Sequence, residues 1–169
     1  LPIYKFIAST NANNTVYQFL KSGKYEPRSS VATISNAMDV VNPSNMSRIM
    51  DFYDNVDNLK NDLECWSFSD IDTINTIITT SKNNDYLLDP HSAVGLLGLQ
   101  KYMKKNNNIE GIFLGTAHPA KFSDIIEPEI NKNIDIPSRL QSVIDKEKSS
   151  TLLNNNYQEF SDYLLSKFK

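Results

Sequence analysis

Three polar segments of the sequence combine hydroxyl, amide, imidazole and carboxylate side chains at short spacing. They are residues 9–13 (STNAN), 89–92 (DPHS) and 115–121 (GTAHPAK). Each follows a short apolar stretch and precedes a segment with helical spacing. In open α/β sheets the ligand crevice lies beyond the carboxyl ends of the strands, and a helix N-terminus offers unpaired amides and a positive dipole end. The pattern therefore favours a small anionic ligand that carries a phosphate or a carboxylate.

Ordinary structural roles remain open for the same side chains. The asparagines of residues 9–13 could turn the chain and cap the next helix, and Asp89 before a proline is a common way to start one. The helix dipole disfavours a charged His91, which suits a neutral hydrogen-bonding partner as well as a catalytic base. Thr116 could close a strand, and Lys121 could be a solvated surface charge. Spacing alone does not decide between these interpretations.

Short apolar stretches that alternate with helical patterns predict an α/β protein. Strands are predicted at residues 4–8 and 111–114, and the end of another strand at residues 67–70. Residues 24–42 fit neither period and are interpreted as largely loop. Strand–helix alternation favours an open, mainly parallel sheet with flanking helices. Helical spacing occurs at residues 16–23, 46–53 (with Ser44 as the cap), 71–82, 94–102, 123–129 and 157–169.

Composition excludes several classes of protein. A chain of 169 residues, 40% of them hydrophobic, can bury one substantial core. The net charge of −3 and the scattered lysines argue against nucleic acid or an anionic membrane as a partner. One cysteine, Cys65, and two histidines are too few for an internal disulfide or a closed zinc site. Neither a membrane helix nor a signal peptide is recognisable, so we expect a cytoplasmic protein.

Five segments can be compared with a known family: residues 6–13 (FIASTNAN), 32–40 (ATISNAMDV), 42–45 (NPSN), 89–94 (DPHSAV) and 115–122 (GTAHPAKF). In order and approximate spacing they resemble the C-terminal part of threonine synthase, and the resemblance covers residues 1–169 as a single portion. It implies a pyridoxal-phosphate enzyme of fold type II, the tryptophan-synthase-β-like class. The implied lyase reaction, in threonine biosynthesis, converts O-phospho-L-homoserine and water to L-threonine and phosphate.

The resemblance implies one cofactor contact and a set of residues that line the active site. Thr116 matches the hydroxyl residue that hydrogen-bonds the pyridine nitrogen, and a neutral hydroxyl does not enforce a protonated ring. His118 and Lys121 continue the same loop, while Asp89 and His91 match a turn that lines the same cleft. The other candidates, for which a packing role stays open, are Asn11, Asn13, Ser35, Asn36 and Asp39.

The resemblance also implies parts that this sequence does not contain. The family's Schiff-base lysine and its glycine-rich phosphate loop match no position here, and the five glycines form no such loop. We therefore expect a fragment, a separately made half or a truncation product, inactive alone, whose partner is the upstream half of the enzyme. The alternatives are a non-catalytic remnant or interaction domain that keeps the fold, and another fold-type-II lyase.

Overall fold

The computed structural model describes residues 2–168 and divides them into two compact units, the first ending at Asp135 and the second beginning at Ile136. The first unit contains both strands, six helices and two 3-10 turns within the described residues. Its elements are β1 (Phe6–Thr10), α1 (Thr15–Ser22), a 3-10 turn (Asn36–Met38), α2 (Met46–Phe52), α3 (Val56–Asp62), β2 (Leu63–Ser67), α4 (Asp70–Asn84), α5 (Pro90–Met103), a 3-10 turn (Pro119–Phe122) and α6 (Ser123–Ile130). The second unit contains α7 (Ser138–Ile144) and α8 (Tyr157–Lys167).

β1 and β2 form a parallel pair, which confirms the predicted α/β class. The register runs from Phe6 opposite Leu63 to Thr10 opposite Ser67. A parallel pair needs a crossover connection, and the chain between the two strands supplies it with α1, α2 and α3. The chain consequently leaves both strands at the same edge of the sheet, which is where the polar segment of residues 9–13 lies.

Local sequence explains where the helices start and stop. Gly23 ends α1 in the left-handed conformation, with a φ of 75°. At the start of α4, Ser69 and Asp72 form a reciprocal capping box. The Asp89 side chain accepts hydrogen bonds from the first amides of α5, and Pro90 occupies a position where no amide donor is needed.

Two apolar clusters form the core of the first unit. One joins α1, α2, α3 and β2, and the other joins α4, α5 and α6 with the second 3-10 turn. α5 also packs on β1, so it lies between the sheet and the second cluster. The buried members are Phe19, Leu20, Met46, Leu59 and Cys65 in the first cluster and Ile77, Leu88, Ala93, Phe122 and Ile126 in the second.

The predicted strand at residues 111–114 is wrong as a hydrogen-bonded strand. Within the described part of the chain, no ladder includes these residues, and no backbone hydrogen bond joins them to another segment. The physical reason is that a strand exists only with a partner, and apolar composition does not reveal whether this sequence contains that partner.

Other predictions were nearer the structure. β1 starts two residues later than the predicted strand at residues 4–8, and the strand end predicted at residues 67–70 is that of β2. Ser44 does not cap α2, whose capping position is Asn45. α3 and α7 were not predicted, because helices this short offer too few apolar positions to establish a period. Among the described residues, no helix is long and apolar enough to cross a membrane.

Candidate active site

Asp39 is the centre of a polar network that ties the loop after α1 to the end of β1. Its Oδ1 accepts hydrogen bonds from Asn11 Nδ2 at 2.8 Å, Asn13 Nδ2 at 2.9 Å and Thr33 Oγ1 at 2.7 Å. Its Oδ2 accepts one from the Thr33 amide at 3.0 Å. A half-buried carboxylate with this many donors has little remaining capacity for another ligand, so Asp39 positions its neighbours.

The two predicted asparagines anchor this loop rather than cap α1. Asn13 Nδ2 donates to the Val31 carbonyl at 2.8 Å, and the Val31 amide donates back to Asn13 Oδ1 at 2.8 Å. Asn11 Oδ1 accepts from the Asn13 amide at 2.9 Å. The capping position of α1 is instead Asn14, which makes no side-chain cap bond. Both asparagines are buried, as expected for side chains that anchor a loop to the protein interior.

Ser35 and Asn36 separate in the structure although they are adjacent in the sequence. Ser35 is fully buried, and its Oγ accepts a hydrogen bond from Asn11 Nδ2 at 3.1 Å. Asn36 begins the first 3-10 turn and is exposed. Of the two, Ser35 joins the network around Asp39, whereas Asn36 is exposed to solvent.

A second hydrogen-bonded chain starts at the base of α5. The Nδ1 atom of His91 lies 3.0 Å from Asp89 Oδ1, and its Nε2 accepts from the Ala37 amide at 3.1 Å. Because Nε2 accepts the hydrogen bond from the Ala37 amide, Nδ1 is the ring nitrogen that donates to Asp89. Asp89 is 1% exposed, and its other oxygen accepts the Ser92 hydroxyl. His91 thereby links Asp89 at the start of α5 to the backbone of the first 3-10 turn.

Thr116 lies in the loop that follows residues 111–115, near the start of α5. A Cβ added at Gly115 would lie 3.8 Å from Ser92 Oγ, which places this loop beside the Asp89–His91 turn. Thr116 is exposed, and its hydroxyl has no hydrogen-bond partner within residues 2–168. A neutral hydroxyl with free donor and acceptor capacity fits the pyridine nitrogen of pyridoxal phosphate, to which it could bind without adding a charge.

The structure does not bring His118 and Lys121 into these networks. His118 Nδ1 accepts from the Ala120 amide at 3.2 Å and so caps the second 3-10 turn, while Lys121 is exposed. His118 also lines a groove of about 460 Å³ together with Lys132 and Asp135. None of the other candidate residues lines this groove.

Sequence reasoning overlooked three residues that complete the networks. Thr33 both donates to Asp39 and accepts from Asn11, Ser92 supplies a hydroxyl to Asp89, and Ala37 contributes a backbone amide. Thr33 and Ser92 lie inside segments that were already recognised as motifs, so their residue types could have identified them. A backbone donor such as the Ala37 amide cannot be identified from its residue type.

Comparison with known proteins gives consistent matches. Residues 92–164 match a family model described as threonine synthase, C-terminal. The chain is 42% identical over 168 residues to threonine synthase of Buchnera aphidicola subsp. Acyrthosiphon pisum and 37% identical over 165 residues to that of Haemophilus influenzae. These matches cover 99% and 98% of the chain but only 38% of each relative, so the chain spans well under half of their length.

Solved structures agree with the sequence matches. Threonine synthase from Escherichia coli superposes with a TM-score of 0.83 and 33% identity over 99% of this chain and 38% of its own. PLP-bound threonine synthase from Brucella melitensis gives 0.79 and 25% identity over 97% and 40%.

The fold is thus that of part of a pyridoxal-phosphate enzyme of fold type II. Within that class, nearly the whole length of the chain is similar to a portion of threonine synthase, and residues 92–164 match the model of its C-terminal part, which confirms the resemblance found from its motifs.

Proposed function

We propose that this chain supplies one wall of the active site of a threonine synthase. The whole enzyme would convert O-phospho-L-homoserine and water to L-threonine and phosphate. The observation that supports this most directly is the meeting of three motif segments: the Ala37 amide reaches His91, and the loop of Thr116 lies beside the same turn. A cytoplasmic location forms part of the proposal, by analogy with a biosynthetic enzyme.

The proposed roles follow from the hydrogen-bonding capacity of each residue. Thr116 would hold the pyridine nitrogen of the cofactor, because its exposed hydroxyl retains both donor and acceptor capacity. Asp89 and His91 would orient the segment around Ala37, and Asp39 with Asn11 would fix the same segment from its other end. When bound, pyridoxal phosphate would supply the electron sink for the reaction.

This portion needs a partner for catalysis. No lysine of the chain matches the position that binds the cofactor covalently, and the five glycines form no phosphate loop. We propose that both features come from the remaining portion of the enzyme, whether it is joined to this chain or made separately. Pyridoxal phosphate and the substrate would bind only when both portions are present.

The test is phosphate release from O-phospho-L-homoserine with pyridoxal phosphate. The samples are this chain, the portion of the Buchnera enzyme that the chain does not match, and their mixture. Activity only in the mixture supports the proposal. Activity of the chain alone would show that the missing lysine has been misassigned, and an associated but silent mixture would support a non-catalytic domain.

The role of Thr116 has its own test in the active mixture. Thr116→Val removes a hydrogen bond worth about 1.5 kcal/mol, so we expect phosphate release to fall about tenfold or more and the cofactor absorbance to shift. Thr79→Val, at an exposed threonine on α4, is the matched control. Equal activities and spectra for the two variants would remove Thr116 from the site.

A further inference from the structure

The groove of about 460 Å³ that His118 lines is bordered by the C-terminal ends of α4 and α6, and we call it the α4–α6 groove. Its floor is apolar and consists of side chains that pack against the second core cluster, namely Leu87, Ala117, Ile130 and Ile134. Sites for small molecules have volumes of this order and combine an apolar surface with a few convergent polar groups. The floor therefore offers a place for a small apolar group.

The polar side chains of the α4–α6 groove retain unused binding capacity. Within residues 2–168, neither an ion pair nor a hydrogen bond involves the side chains of Asp85, Lys132 or Asp135. His118 uses only its Nδ1 atom, which accepts from the Ala120 amide, so its Nε2 atom is free to bind a ligand. One ammonium group and two carboxylates thus border the same groove without forming an ion pair.

The two helix ends favour a positively charged group in the groove. Asp85 follows α4 and Asn131 follows α6, and both adopt the left-handed conformation, with φ values of 49° and 52°. In the described part of the chain, neither residue donates its amide back to its helix, so the last helical carbonyls keep acceptor capacity. The C-terminal end of a helix carries partial negative charge and attracts cations. With the carboxylates of Asp85 and Asp135, these ends suit an ammonium group, while Lys132 suits an anion.

We infer that the α4–α6 groove binds a free α-amino acid with an apolar side chain. The ammonium group of the ligand lies at the helix ends and the two carboxylates, its carboxylate pairs with Lys132, and its side chain covers the apolar floor. Each part of such a zwitterion has a counterpart in the groove, and both charged contacts are charge-assisted hydrogen bonds. The inference goes beyond the proposed function and does not depend on it, because residues 81–135 of this chain form the whole groove.

The experiment is a calorimetric titration of this chain with L-leucine and with two analogues that each lack one charge. The amine 3-methylbutylamine lacks the carboxylate, and 4-methylpentanoate lacks the ammonium group. We expect L-leucine to bind and each analogue to bind at least about tenfold more weakly, because one charge-assisted contact is lost. Hydrogen exchange locates the site, since bound L-leucine should protect the amides of residues 115–118.

Two substitutions separate the charged contacts. Lys132→Gln should weaken binding of L-leucine at least about tenfold and leave the affinity for 3-methylbutylamine unchanged, because the amine has no carboxylate to lose. Asp135→Asn should weaken binding of both. The matched control is Lys82→Gln, at an exposed lysine in the last turn of α4 that does not line the groove. All three variants should retain the far-ultraviolet circular dichroism of the unmodified chain.

Each outcome decides for or against the inference. Binding of L-leucine that Lys132→Gln weakens and Lys82→Gln does not supports it. Absence of binding up to about 10 mM L-leucine, or equal binding of L-leucine and 3-methylbutylamine, overturns it. Equal losses for Lys82→Gln and Lys132→Gln would show attraction by overall charge and also overturn it. These results stand whether or not the mixture with the remaining portion of the enzyme releases phosphate.

Discussion

At the scale of single residues, Asp39 links several parts of the candidate site. Its carboxylate holds two buried asparagines and both hydrogen-bonding groups of Thr33 in one arrangement. Hydrogen bonds to a charged group contribute more than neutral ones, and buried donors that lose their acceptor cost free energy. The shape of the loop between α1 and α2 therefore depends on this one side chain.

Asp39→Asn should destabilise the first unit although it preserves the shape of the side chain. The NH2 group of the new side chain would face the donors that the Asp39 carboxylate now accepts from. We therefore expect the free energy of unfolding to fall by about 1–3 kcal/mol. Urea denaturation followed by the fluorescence of Trp66 in β2 measures the change. Asp54→Asn, at an exposed position, is the control. Equal midpoints for the two variants would contradict the role assigned to Asp39.

The thiol of Cys65 should react only slowly with disulfide reagents in the folded chain. It lies in β2 within the first core cluster, and burial raises the pKa of its thiol to about 12. Only the thiolate reacts with disulfide reagents, so at a pH of about 8 the native chain should react far more slowly than the chain in urea. A native rate close to that of the unfolded chain would show that the first core cluster opens readily.

At the scale of secondary-structure elements, the contact between β1 and α5 sets the position of the candidate site. A Cβ added at Gly98 would lie 1.9 Å from Ser9 Oγ and 3.2 Å from Ile7 Cγ2. Ser9 Oγ is buried and makes no hydrogen bond within the described chain. This close approach uses a glycine on the helix and a small residue on the strand, so no side chain separates the two backbones.

Gly98→Ala should therefore destabilise the chain, although alanine favours a helix by about 1 kcal/mol over glycine. Overpacking at this contact should lower the free energy of unfolding by about 1–3 kcal/mol. In a Ser9→Ala background the clashing hydroxyl is absent and the loss should be smaller, since the nearest remaining atom is Ser9 Cβ at 3.1 Å. Strictly additive effects in this double-mutant cycle would disprove the contact.

Local signals in the sequence predicted the elements best where a residue marks the start or the end of a helix. α5 and α1 were found because Asp89 and Gly23 mark their boundaries. Residues 111–114 had the apolar composition of a strand, yet strand formation depends on a partner that composition does not reveal. Likewise, the motifs identified the candidate residues, but the contact between Ala37 and His91 joins positions far apart in sequence and required the fold.

At the scale of the whole molecule, the two units differ in how much they bury. From residue 136 to residue 168, no described side chain is buried, and Leu152 is 96% exposed. The first unit contains both core clusters. A segment without buried apolar side chains has little to oppose the entropy of unfolding.

Unfolding should therefore take place in two steps. Trp66 reports only on the first unit, while far-ultraviolet circular dichroism reports on helices of both. We expect the helical signal to begin to fall at a lower urea concentration than the Trp66 fluorescence, which two-state unfolding does not allow. Coincident transitions would show that the second unit unfolds together with the first.

The loop between α1 and α2 is held in place by hydrogen bonds although most of it has no regular secondary structure. The amides of Val31, Thr33 and Ala37 donate to the side chains of Asn13, Asp39 and His91. Most of the surrounding residues adopt no repeating conformation, yet these three amides are satisfied as fully as those in a helix. Slow hydrogen exchange at these positions would reveal a rigid segment in a region that dihedral angles alone describe as irregular.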